Sequence, residues 1–185
     1  MFNIPVLGIC AQASGMGKTT LIEAMLPAFA EYGLKVSIIK QTHAEFDLDR
    51  PGKDSHRLRS AGASQVLLSS ESRWVVMTEQ KSDPSDIRLM DMVRHLDPEL
   101  ADLVLVEGFR HAPIPKIEVF RPSQGYSLLA ASDAHVFAVA SDLPVVTSRP
   151  VLDLNAPATV AKFIVKWWAR QQVHGVKQYS TGEVL

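Results

Sequence analysis

Short apolar runs alternate with longer amphipathic stretches along the chain. Ile4, Val6, Leu7, Ile9 and Cys10 make an apolar segment of strand length, and after a polar loop Leu21, Ile22, Met25, Leu26 and Phe29 recur at helical spacing. A helix is predicted from about Lys18 to Tyr32, with Gly33 as its stop. Pro27 lies inside it and forfeits the bond to the carbonyl of Glu23, so a kink or a division is expected there. Leu34 to Lys40, with β-branched Val36, Ile38 and Ile39, reads as a second buried strand. Strand, helix and strand form one right-handed crossover unit, whose ligand end is the carboxyl edge of the sheet.

Further along, Asp54 is placed to cap a helix from Ser55 to Ala61 that Gly62 ends. Gln65 to Ser69 and Arg73 to Thr78 are strand-like and separated only by Ser70-Glu71-Ser72, which predicts an antiparallel hairpin; Trp74 on it reads as a core residue first and as a platform for a partner second. Asp83 before Pro84 caps a helix whose apolar face is Ile87, Leu89, Met90, Val93 and Leu96, ending near Asp97-Pro98. Leu103 to Glu107, Lys116 to Arg121 and His135 to Ala140 read as strands. A last helix over about Ala156 to Val173 presents Val160, Phe163, Ile164, Trp167 and Trp168 to the sheet. Residues 175–185 have little to bury and read as a frayed tail.

The polar loop between the first strand and helix carries the most specific chemistry. Ala13-Ser14-Gly15-Met16-Gly17-Lys18-Thr19-Thr20 matches a phosphate-binding loop, G-x-x-x-x-G-K-[ST], except that Gln12 stands at the first glycine. Gly15 and Gly17 allow successive N–H groups to turn inward as a nest at the positive end of the helix dipole. Lys18 adds a charge for the β and γ phosphates, and the Thr19 hydroxyl is a ligand for the Mg2+ that bridges them. A buried strand ending in Glu107 resembles a Walker B strand with glutamate in place of aspartate, so this carboxylate is assigned to the metal or to orienting the attacking water.

Other charged positions cluster at predicted strand ends. Lys40 and His43 could meet phosphate, while Asp47, Asp49 and Asp54 could hold Mg2+ or position water; a solvated connection is the other reading of that segment. Arg110, His111, Lys116 and Arg121 form either a cationic patch for a second phosphorylated ligand or protein partner, or a solvated surface. Asp142 follows a late strand, where a carboxylate can accept from N1 and N2 of guanine; a turn former before Pro144 is the alternative.

Composition narrows the partners. Nineteen Lys+Arg against twenty Asp+Glu leave a net charge of -1, so no global field recruits nucleic acid or a membrane surface. The single cysteine, Cys10, supports neither a disulfide framework nor a multi-cysteine zinc site and reads as a small core residue. With no secretory signal pattern and no apolar run of about 18 residues, a cytoplasmic protein is expected. At 185 residues the expected fold is α/β, a P-loop NTPase-like mostly parallel sheet flanked by helices, with antiparallel strands from the hairpin. One nucleotide-binding domain over residues 1–174 is expected.

These motifs together resemble the MobB family, the molybdopterin-guanine dinucleotide biosynthesis adapters, which are P-loop GTP-binding proteins. The resemblance spans nearly the whole chain: Ser14 to Thr20, I-K-x-T-H at Ile39 to His43, Ala61 to Ala63, V-E-G-F at Val106 to Phe109, and A-V-A-S-D-x-P at Ala138 to Pro144. Its distinctive part is Asp47-Leu48-Asp49-Arg50-Pro51-Gly52-Lys53-Asp54-Ser55. Gln12 is no departure within the family; His43-Ala44, where the family usually has two histidines, is one. The resemblance implies a homodimer with an extended mixed β-sheet, GTP and Mg2+ as cofactors, and weak GTP hydrolysis. It also implies a helper role beside the guanylyltransferase MobA, which attaches GMP to molybdopterin; molybdopterin itself is a further candidate partner. Preference for guanine over adenine rests mainly on this likeness. No arginine finger or switch glutamine is recognisable, which fits slow turnover. Two other functions share the loop: a small-molecule kinase, with Arg50 to Arg59 as its only dense basic lid, and a metal-insertion GTPase, for which one cysteine and six scattered histidines offer few ligands.

Overall fold

The computed structural model describes residues 4–42, 49, 51–79 and 88–174. The chain forms two compact units, one of residues up to Gln41 and from Arg88 onward, the other between Thr42 and Ile87. The first is built on a sheet of six strands, β1 (Val6–Cys10), β2 (Val36–Lys40), β5 (Leu103–Glu107), β6 (Lys116–Phe120), β7 (Val136–Ser141) and β8 (Val151–Asp153). They lie in the order β2-β5-β1-β6-β7-β8, and every pairing is parallel. No described helix is long and apolar enough to cross a membrane.

A parallel sheet is covered on both faces, so its central strands are apolar without alternation. Along β1 and β5 the burial is complete, and successive residues feed opposite layers. Leu7, Ile9, Leu103 and Leu105 pack with Phe29 and Met25 of α1 (Lys18–Glu31) and with Val160 and Ile164 of α4 (Pro157–His174). Val6, Val104 and Val106 pack on the other side with Leu89 and Val93 of α3 (Leu89–Val93). Phe137 stacks on Phe163 and Trp167 at 5.9 Å each, and Trp168 Nε1 donates to the Asp102 carbonyl at 2.8 Å, so α4 lies along the sheet as expected.

Several expectations are corrected. Pro27 does not divide α1, which runs unbroken from Lys18 to Glu31; the carbonyl it deprives belongs to Glu23, an exposed residue, on a side of the helix where a missing bond is least costly. Strand β2 is not buried: it is the edge of the sheet, and Ile38 is 41% exposed. Strand β8 escaped the sequence reading because three residues of exposed and half-buried character carry no periodic signal. Lys116 is no surface cation. It is 1% exposed, and its Nζ donates to Asp133 Oδ2 at 2.6 Å and to the carbonyls of Arg110 and Ala112 at 2.8 and 2.9 Å. Its stem crosses β1 at Gly8, where a Cβ would lie 2.7 Å from Lys116 Cγ.

In the second unit, α2 (Asp54–Ser60) is followed by an antiparallel hairpin of β3 (Gln65–Ser69) and β4 (Trp74–Thr78), which pair with each other as a separate two-stranded sheet. Gly62 stops α2 at a φ of 109°, as read from the sequence. Asp54 does not cap it: Lys53 is the cap, and Asp54 sits in the first turn beside Arg57. Trp74 is 63% exposed rather than in the core. It shares a hairpin face with Leu67 and Val76, and a two-stranded sheet with Val66 buried on its opposite face leaves this one open. The Asp83 cap and Ile87 fall outside the described residues, as does the tail.

Burial dominates the setting of Cys10, with the Glu118 carboxylate adding to it, and pushes the thiol up to about 12. The folded chain therefore holds this proton where the unfolded chain, with an ordinary thiol, has lost it; this contribution to stability is present below the ordinary thiol range and is lost as pH rises from there towards about 12. Native protein at pH 8 is expected to leave Cys10 unmodified by iodoacetamide, with stoichiometric labelling in urea, read by mass spectrometry; rapid native labelling would contradict its placement.

Candidate functional site

Strand β1 ends at Cys10, and the chain reaches the N-terminus of α1 through 11–17. Gly15 and Gly17 adopt φ of 74° and 97°, the left-handed conformations that a nest of inward N–H groups requires. Lys18 Nζ donates to the Ala13 carbonyl at 3.0 Å, so the ammonium lies folded across the loop it belongs to. Gln12, where glycine was expected, is held by Arg110: Nη1 donates to its carbonyl at 3.0 Å and to its Oε1 at 3.1 Å.

The register of the sheet sets Ile9 opposite Glu107, which brings the second informative strand to the edge of the loop. Thr19 Oγ1 donates to Glu107 Oε1 at 2.7 Å. Lys40, at the end of β2 and opposite Glu107, donates to Thr19 Oγ1 at 3.3 Å and lies 3.5 Å from Glu107 Oε2. A threonine hydroxyl, a nearly buried carboxylate and an ammonium thus converge from three elements beside the first turn of α1. Hydroxyl and carboxylate oxygens are hard donors suited to Mg2+, and a cationic group already rests against both.

Against this geometry the chain compares directly with known proteins. Residues 6–142 match the model of MobB, molybdopterin guanine dinucleotide synthesis protein B. The chain belongs to the MobB family. It is 42% identical over 169 residues to the molybdopterin-guanine dinucleotide biosynthesis adapter protein of Escherichia coli K12, covering 91% of this chain and 95% of the relative. The protein of the same name from Haemophilus influenzae is 42% identical over 165 residues, 89% and 90% of the two chains. Among solved structures, a MobB homolog from Bacillus stearothermophilus superposes with a TM-score of 0.67 at 21% identity, over 89% of this chain and 98% of that one. Bacillus subtilis MobB gives 0.66 at 22%, over 88% and 97%. At these identities the two structures show the shared fold.

Of the residues read from the sequence, Ser14 to Thr20, Lys40 and Glu107 come together in this member of the MobB family. His43 and Asp47 lie outside the described residues. Asp49 is buried within the second unit, where it accepts from Ser55 Oγ at 2.7 Å and faces Arg59 Nε at 3.6 Å. The cationic run disperses: Arg110 serves Gln12, Lys116 is internal, and Arg121 Nε donates to the Met16 carbonyl at 3.0 Å while Nη1 pairs with Asp142 Oδ2. Among the described residues no group of three or more His, Cys, Asp or Glu is arranged to hold a metal ion.

Gln41 went unnoticed in the sequence because it occupies the variable position of I-K-x-T-H. Its N–H donates to the Glu107 carbonyl at 2.8 Å, and its Oε1 accepts from Phe109 N–H at 2.9 Å. Between these contacts Gly108 has a φ of 102° and Phe109, a non-glycine residue, a φ of 46°. A Cβ at Gly108 would stand 2.7 Å from Gln41 Cβ, so the strained turn after Glu107 and the exit of β2 are fitted to each other. Gln41→Ala leaves the part-buried Phe109 N–H unpaired and is expected to destabilise the protein by about 1–3 kcal/mol, read by urea denaturation. A change under about 0.3 kcal/mol would show that the turn holds itself.

Proposed function

We propose that this chain is a GTP-binding adapter, at most a weak Mg2+-dependent GTPase, which assists the guanylyltransferase that attaches GMP to molybdopterin. The adapter role follows the names of the Escherichia coli and Haemophilus influenzae relatives. The observation that carries the nucleotide part is the convergence of Thr19, Glu107 and Lys40 on one end of a glycine-shaped loop.

In this reading the N–H groups of residues 14–20 and the Lys18 ammonium grip the triphosphate, with Lys40 and His43 as further phosphate contacts. Thr19 and Glu107 hold Mg2+, joined by Asp47. When bound, the metal neutralises charge on the β and γ phosphate oxygens. Asp142 reads the guanine edge: its Oδ1 is buried and has no hydrogen-bond partner among the described residues. Turnover is slow because the two arginines at the loop, Arg110 and Arg121, are both committed to its backbone carbonyls. The assembly is a homodimer that engages a MobA-like guanylyltransferase, and molybdopterin is a further candidate partner.

Calorimetric titration with Mg2+ is expected to show GTP bound in preference to ATP. Lys18→Ala removes a charge-assisted contact of roughly 1.5–3 kcal/mol and disturbs its neighbours, so GTP binding is expected to weaken at least tenfold, and unchanged affinity would refute the phosphate site. Glu107→Gln is expected to abolish most of the Mg2+-dependent gain in affinity while leaving Mg2+-free binding intact. Retention of the guanylyltransferase by immobilised protein tests the adapter role; no retention with or without GTP would count against it.

A further inference from the structure

Arg121, the residue that follows β6, serves two parts of the site at once. Nε donates to the Met16 carbonyl at 3.0 Å, and Nη1 pairs with Asp142 Oδ2. Nη2 lies against the loop backbone, where a Cβ on Gly17 would stand 3.3 Å away. In a nest of inward N–H groups the carbonyls turn outward, and this guanidinium holds one of them from behind. The same planar fork fixes the direction of a carboxylate that is 18% exposed.

The state of Asp142 points to a ligand. Oδ2 is taken by Arg121, whereas Oδ1 is buried with no hydrogen-bond partner among the described residues. Leaving a buried acceptor unsatisfied is costly, and a donor from outside the chain would recover that cost. The N1–H and N2 amino groups of guanine are donors of that kind.

We propose that Arg121 is a positioning residue for nucleotide selection: it ties the carboxylate that reads the purine edge to the loop that grips the triphosphate. Base and phosphates are then seated as one event. This rests on the guanosine nucleotide reading given above. Lysine cannot replace the arginine, since a single ammonium lacks the fork that reaches carbonyl and carboxylate together.

The test uses the full chain, with GTP, ITP (which lacks the N2 amino group) and inorganic tripolyphosphate as ligands, each with Mg2+, and thermal melts alongside. Wild-type protein is expected to prefer GTP to ITP by about tenfold. In Arg121→Ala and Arg121→Lys that ratio falls towards one, and tripolyphosphate binding weakens severalfold or more. Asp142→Ala lowers the GTP-to-ITP ratio and weakens tripolyphosphate binding in the same way, because it unpins the guanidinium, and the double variant is little worse than either single one. Arg121→Gln, which keeps bulk and one donor group, stands in should the alanine variant unfold.

A GTP preference that survives in the Arg121 variants, with both triphosphates weakened equally, would reduce Arg121 to loop support and overturn the proposal alone. So would additive effects of the two substitutions on tripolyphosphate. Wild-type protein that binds GTP and ITP alike would overturn the guanosine reading and the proposal together.

Discussion

Everything at the site depends on how β1 is paired. It lies between β5 and β6, buried on both faces, and its register with β5 sets Ile9 against Glu107. A shift of one residue would turn Leu7 and Ile9 away from the α1 and α4 layer and carry the phosphate loop off its partner strand. The hydrogen bond from Thr19 to Glu107 is the local expression of that register. It joins the first turn of a helix to the end of a strand 88 positions away, which no local propensity can arrange.

Charge at the loop is organised by commitment rather than by accumulation. Lys18, Arg110 and Arg121 each donate to a backbone carbonyl of residues 12–16, and Lys40 rests between Thr19 and Glu107. A loop whose N–H groups turn inward leaves its carbonyls pointing out, and cations are the groups best suited to meet them. The arginines therefore brace a shape. Gln12 fits the same scheme, since its side chain and carbonyl share one guanidinium nitrogen and the glycine expected there has no such handle.

Much of the fold was legible because the pattern that encodes it is local. Continuous apolar runs marked β1, β5 and β7, helical spacing marked α1 and α4, and glycines marked the ends of α1 and α2. The loop residues and Glu107 were readable for the same reason. What escaped depends on partners remote in sequence. Lys116 looks like any surface lysine until Asp133 and two carbonyls are seen around it, and Gln41 shows its function only once Phe109 is folded against it. Trp74 misled because aromatic size favours burial, while a hairpin sheet of two strands has one face to spare.

The crossing of Gly8 by the Lys116 stem has a consequence for how such a chain can vary. Any carbon at position 8 collides with that stem, and shortening the stem first takes the ammonium away from Asp133 Oδ2 and from the carbonyls of Arg110 and Ala112. Neither step is neutral alone, so the two sites should drift only in concert, as a lock and its key. A glycine invisible to every chemical argument about phosphate thereby fixes the spacing of the strand from which the phosphate loop springs.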